Sequence, residues 1–257
     1  MARLKSNHFV ERLKWGEDTI AIAVFAVLTF FPAFEIITRL IGRSGIPASA
    51  VLVQHMTLWI GFIGAVLATR QNKLLSLVRK PLFQEDEIFH LGRWIAKNIS
   101  FIVILALFWG SLNLVIVEYK YPTYIAPGIL RWVAQSIMPL GFLLIAAQIF
   151  LKSSKNHLLR ATMLMITIFI IIVSLTDAFQ DNGLFLWGSV GLILFSMIFG
   201  TPIFIGLGGL AVLLFWSDYT PISAISAETY RIVVSPSLPT IPSVSYTHLT
   251  LPTTPYV

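Results

Sequence analysis

The stretch Ile95-Ala-Lys-Asn-Ile-Ser-Phe-Ile-Val-Ile-Leu-Ala-Leu-Phe-Trp-Gly-Ser-Leu-Asn-Leu-Val-Ile-Val117 decides the class of fold. Its 23 residues hold one ionisable group, Lys97, near the start. As a helix rising about 1.5 Å per residue it crosses a hydrocarbon layer of roughly 30 Å. Four other runs have the same character, Thr19–Thr38, Val51–Thr69, Trp132–Leu151 and Leu158–Thr176. A further stretch, Leu184–Trp216, is too long for one straight span and is interrupted at Gly200-Thr-Pro202. Gly and Pro break helices, so either two short helices or one sharply broken helix fits it. The expected fold class is therefore all-α, a polytopic membrane protein.

Composition agrees. Of 257 residues, 56% are hydrophobic and 12% charged, which excludes a disordered chain. The net charge of +6 could suit nucleic acid. The basic residues, however, fall in short clusters between apolar runs, so no nucleic-acid partner is expected and the lipid bilayer is. With no cysteine there is neither a disulfide framework nor a thiolate site. The first apolar run is too long for a signal-peptide core and reads as a retained span.

Orientation follows from the cationic loops. Arg3, Lys5, Arg12 and Lys14 precede the first span. Arg70, Lys73, Arg79, Lys80, Arg93 and Lys97 flank the second loop, and Lys152, Lys155 and Arg160 the fourth. The first and third loops hold Arg39, Arg43, Lys120 and Arg131. This asymmetry predicts a cytoplasmic N-terminus and an outer Asp177–Gly183. Trp15, Trp94, Tyr119, Tyr121, Tyr124 and Trp132 sit at span ends, where amphipathic rings prefer the interface. In the second loop, Leu74, Leu75, Leu77 and Val78 precede Pro81, and Ile88, Phe89, Leu91 and Trp94 follow Glu85-Asp-Glu87. A membrane-surface helix and an amphipathic lead-in to the third span both fit that pattern.

Catalytic templates are missing from the sequence. His8, His55, His90, His157 and His248 are scattered, without metal-ligand spacing, so neither an enzyme nor a metal site is expected. Gly206-Leu-Gly208-Gly209 echoes a dinucleotide fingerprint but lies in an apolar run with no preceding strand, which favours helix packing or a hinge. Gly188-Ser-Val-Gly191 reads as a packing face. The second span carries two small-residue registers, Gly61 to Ala65 and Gly64 to Ala68, suited to close approach of a helix within the chain or of another subunit. Polar groups inside spans are Glu35, Gln54, Asn113, Gln135 and Gln148. Glu35 lies one turn before Arg39, which predicts a local ion pair in preference to a proton relay. Arg70 is read as a topological anchor, and Pro32 and Pro139 as kinks.

The stretch Gln54-His-Met-Thr-Leu-Trp-Ile-Gly-Phe-Ile-Gly-Ala-Val-Leu-Ala-Thr-Arg70, followed by Lys73-Leu-Leu-Ser76, resembles the second helix of the small membrane subunit of tripartite ATP-independent periplasmic (TRAP) transporters. Gln54 stands where that family often has an acid, and Leu74-Leu75 where it has histidine. Independently, Gly188-Ser-Val-Gly-Leu-Ile-Leu-Phe, Gly200-Thr-Pro-Ile-Phe-Ile-Gly-Leu-Gly-Gly and Ser235-Pro-Ser-Leu-Pro-Thr-Ile-Pro242 resemble the beginning of the large subunit. There the last motif leads toward a re-entrant hairpin, with Ser235, Pro239 and Pro242 at its start.

The resemblance implies a fused arrangement: a four-helix small-subunit scaffold over 1–152, a linking helix over 153–183, the first large-subunit helices over 184–242, and a non-native tail over 243–257. It further implies a multi-pass protein of the bacterial inner membrane. Such a protein imports a carboxylate-bearing solute with sodium as coupling ion, together with a periplasmic solute-binding protein and the remainder of the large membrane subunit. No cofactor is expected. The sodium and substrate sites of the family lie mostly beyond Pro242, so this stretch alone is expected to be transport-inactive. On physics alone, a non-transporting assembly or signalling membrane protein fits the spans equally well.

Overall fold

The computed structural model describes residues 2–42, 48–77, 87–153, 156–174, 176, 180 and 182–235. Its helices are α1 (Ala2–Leu40), α2 (Ser49–Arg70), α3 (Glu87–Lys120), α4 (Arg131–Gln135), α5 (Ile137–Ser153), α6 (His157–Ser174), α7 (Gly183–Ile198), α8 (Ile203–Ser217) and α9 (Ser223–Val233). Five apolar helical stretches are long enough to cross a bilayer: Asp18–Leu40, Ser49–Arg70, Leu91–Lys120, Arg131–Ser153 and His157–Ser174. They coincide with the five predicted runs to within a few residues at each end. The chain is thus a helical, multi-pass membrane protein.

The breaks have local causes. Pro139 has no N–H to give the carbonyl of Gln135, and the helix is interrupted at Ser136, between α4 and α5. Pro32, by contrast, lies within an uninterrupted α1. At the end of α7, Gly200 takes φ +103°, a conformation that side-chain-bearing residues rarely adopt, and Pro202 then N-caps α8. The freed backbone is satisfied nearby: Thr201 N–H donates to Ser196 O at 3.2 Å and Ile203 N–H to Leu75 O at 2.9 Å. Leu184–Trp216 is therefore two helices. They run antiparallel, with Gly206 against Met197, Gly209 against Ile193 and the Phe185 ring 6.1 Å from that of Trp216. Having 16 and 15 residues, each is shorter than the five stretches long enough to cross.

Of the two readings of the second loop, the structure takes the lead-in. From Glu87 the helix continues without interruption to Lys120, while 78–86 lie outside the described residues. One element was not foreseen. Tyr124–Ala126 (β1) and Ile129–Leu130 (β2) form a short antiparallel hairpin between α3 and α4. Pro127 and Gly128, the latter at φ +82°, make the turn, as expected where position i+2 needs a positive φ.

Helix α3 is central, packed by α5 on one side and by α7, α8 and α9 elsewhere, while α1 packs on α2. The core comprises Phe101, Val103, Ile104 and Leu107 of α3 with Val66, Phe142, Ile145, Met163 and Ile205. Lipid tails are as apolar as these side chains, so burial from water does not hold the helices together. Close dispersion contact must. Glycines permit it. A Cβ added at Gly92 would meet Phe199, at Gly110 the backbone of Ile222, at Gly141 Phe62, at Gly208 Leu107 and at Gly209 Val103, all at 3.0 Å or less. The predicted packing or hinge role of Gly206-Leu-Gly208-Gly209 thus has a concrete form, namely packing. A Cβ at Gly188 or Gly191 would meet nothing within 4 Å, so among the described residues that pair is no packing face.

Candidate functional site

The helix ends separate into two chemically different sets. At one end, Lys152 of α5 donates from Nζ to Thr69 O at 2.9 Å and Arg70 O at 2.6 Å. Lys97 of α3 donates to Ser153 O at 3.1 Å and Lys152 O at 3.3 Å. The last carbonyls of a helix lack intrahelical donors and carry partial negative charge, so two ammonium groups here close the C-termini of α2 and α5. Arg70 pairs with Asp18 at the same end, and Arg160 donates to Leu151 O at 2.7 Å. Ser76 pairs with Pro202 there as well, tying the α7–α8 turn to this end.

The opposite end holds a cavity of about 510 Å³ between α2, the hairpin, α4 and α9. Val51 and His55 line it from α2, Tyr124 from β1, Arg131 from α4, and Tyr230 and Arg231 from α9. His55 is buried. Its Nδ1 lies 2.7 Å from Val51 O, which can only accept, so Nδ1 carries the proton. Nε2 of the neutral ring then accepts from the Tyr230 hydroxyl at 2.6 Å. Burial raises the Tyr230 phenol above its ordinary range, which keeps the hydroxyl protonated as a donor. This bond joins α2 to α9 across 175 residues of sequence. Arg131 faces Glu118 at 3.8 Å, and Arg231 is held by Glu228 through bonds of 2.8 and 2.6 Å.

The residues singled out from sequence do not gather at this cavity. Glu35 and Arg39 form their predicted ion pair at this end of α1. Gln54 is half-buried beside His55. Gly61 and Gly64 are exposed, and a Cβ at either would meet nothing within 4 Å, so no described helix approaches them closely. Ala65 is partly buried against the core and Ala68 is half-buried. Arg70 lies at the other end with Asp18. Ser235 is the last described residue, and Pro239, Pro242 and the tail 243–257 lie outside the described residues.

Set beside models of known protein families, curated proteins and solved structures, the chain matches none. The cavity has therefore to be read from its own chemistry. Sequence reasoning passed over His55, Tyr230 and Arg131, which the fold brings together. His55 could have been noticed as a titratable group in an apolar span, but nothing in the sequence pairs it with Tyr230.

Proposed function

We propose that the chain is a membrane component of a sodium-coupled TRAP transporter, importing a carboxylate-bearing solute delivered by a periplasmic binding protein. In this reading α1 to α5 are the small-subunit scaffold, α6 is the linking helix, and α7 to α9 begin the transport subunit. The reading rests on the two sequence resemblances. The observation that supports it is the order of elements: four spans, then one helix whose buried residues are only Met163 and Thr167, then the α7–α8 hairpin turning at Gly200-Thr-Pro202. That is the order in which the resemblance places scaffold, link and transport domain. The spans present here would brace the subunit that moves. Sodium would be held mainly by segments after Pro242.

The cationic end, with Arg70, Lys97, Lys152 and Arg160, faces the cytoplasm in this reading, which puts the N-terminus on the cytoplasmic side of the bacterial inner membrane and the cavity at the outer face. Two experiments test it. Because the chain has no cysteine, single cysteines placed at Gln71 and Gly128 report sidedness. Gly128→Cys should react with an impermeant maleimide in intact cells and Gln71→Cys only after permeabilisation, and the reverse would overturn the orientation. Deleting the gene in its host should abolish sodium-gradient-driven uptake of a carboxylate solute that binds to the product of an adjacent periplasmic-protein gene. Unchanged uptake, or a locus without a solute-binding gene, would overturn the transporter reading.

A further inference from the structure

The cavity beside α9 presents a cation whose hydrogen-bonding capacity is unused. Among the described residues, the Arg131 guanidinium makes no hydrogen bond, and its charged neighbour Glu118 stands 3.8 Å away, beyond hydrogen-bond reach. Glu118 in turn accepts from the Thr123 hydroxyl. The second guanidinium of the cavity, Arg231, differs: two N–H groups are committed to Glu228. Tyr230 is committed to His55 and offers no proton to a guest. Arg131 is thus the group that would choose what enters. A guanidinium fork complements the paired oxygens of phosphate or carboxylate, and the volume of about 510 Å³ lies in the range of small-molecule pockets.

The surroundings narrow the choice. Tyr124 of the lining is exposed, as are Tyr119 and Tyr121 at and just past the end of α3, and Tyr119 meets Trp132, the neighbour of Arg131 in sequence, edge to face at 5.5 Å. Rings of this kind collect at the level of lipid headgroups, and α3, which ends among them, exposes Trp109, Ile116 and Val117. We infer that the cavity is an oxyanion site gripped by Arg131, whose occupant is the phosphodiester of a membrane phospholipid. Its acyl chains would run along the exposed apolar helix surface. The inference does not depend on the transporter reading.

The test uses the full chain in nanodiscs of equal parts phosphatidylglycerol and a phosphate-free glycolipid, with lipid retained after detergent release counted by native mass spectrometry. Wild type should keep phosphatidylglycerol in preference to the glycolipid. Arg131→Gln should lower retention by about tenfold or more, as expected for loss of a charge-assisted contact. Lys120→Gln, which removes a charge at the same end but outside the cavity, should leave retention unchanged. A parallel equilibrium dialysis of delipidated protein against labelled inorganic phosphate separates the sources. Arg131-dependent phosphate binding without lipid retention keeps the oxyanion site and overturns the lipid as occupant. Equal retention by Arg131→Gln and Lys120→Gln, with no phosphate binding, overturns the site itself. If Arg131→Gln does not purify in folded form, Arg131→Lys keeps the charge but loses the fork. Several-fold weaker retention is then expected, and undiminished retention overturns the inference.

Discussion

Replacing Gly110 by alanine should loosen α9 even though the same change stabilises an ordinary helix. Alanine gains about 1 kcal/mol over glycine in a helix interior. At Gly110, however, the new Cβ would lie 2.9 Å from Ile222 O, 3.0 Å from its Cγ2 and 3.1 Å from its backbone carbon. Ordinary contact begins near 3.4 Å, and two of those three atoms are backbone, so the segment entering α9 has to recede by several tenths of an ångström. Overpacking of this kind costs about 1–3 kcal/mol. The net loss is then about 1 kcal/mol, a rise of roughly fivefold in the population with α9 undocked. Hydrogen exchange of the amides of α9, with the protein in nanodiscs, reads that population directly. Equal or greater protection of α9 in Gly110→Ala would refute the reasoning, because the close approach would then not constrain the helix.

Gly61→Ala is the counterpart: with nothing within 4 Å of its Cβ, the helix-propensity gain of up to about 1 kcal/mol should appear as a higher midpoint of denaturation. A lower midpoint would mean that another subunit approaches that face. Tyr230→Phe should cost about 0.5–1.5 kcal/mol of α9 docking, read by the same exchange experiment. Since burial raises the Tyr230 pKa, the docked state binds its proton more tightly. That contribution is fully present below about pH 10 and declines as pH rises through the higher folded value, so tyrosinate absorbance should show a late-ionising group that Tyr230→Phe removes. Lys152→Met leaves Arg70 O and Thr69 O without their ammonium donor and should lower stability by about 1–3 kcal/mol in chemical denaturation. Gly200→Ala forces a side chain into φ +103° and should cost about 1–3 kcal/mol, seen as faster exchange in α7 and α8 ahead of α2.

The spans were legible because membrane thickness imposes a length and an apolarity that a single sequence displays without reference to any neighbour. The break at Gly200-Thr-Pro202 was legible for the same local reason, and so was Glu35 with Arg39, one turn apart. What failed was whatever depends on which faces meet. Small-residue spacing drew attention to Gly61 and Gly64, which no described residue approaches closely, and the glycine cluster of α8 drew attention to a face that does pack, whereas the close approaches at Gly92, Gly110 and Gly141 involve lone glycines that spacing alone does not mark. The β1–β2 turn did announce itself through Pro127-Gly128 between Tyr-Ile-Ala and Ile-Leu, but two strands so short are invisible to periodicity. Helix α9 is too polar to register as a span, with Glu228 and Arg231 on its surface and Ser226 facing inward. His55 and Tyr230 meet only because α9 returns to α2, and no rule of sequence separation anticipates it.

The central place of α3 has a consequence for how this polypeptide could be divided. Its surface is shared, with α5 against one side and α7, α8 and α9 against others. A cut near α6 would leave α3 with the first piece and give the second piece Ile205, which packs into the same core. The first piece would keep a groove bearing Gly92 and Gly110, shaped for Phe199 and Ile222. The second would keep those two knobs, together with the glycine-flattened face of α8 that admits Val103 and Leu107. Two separately synthesised halves would thus carry complementary relief, knob against groove, along the surface of α3 that they share.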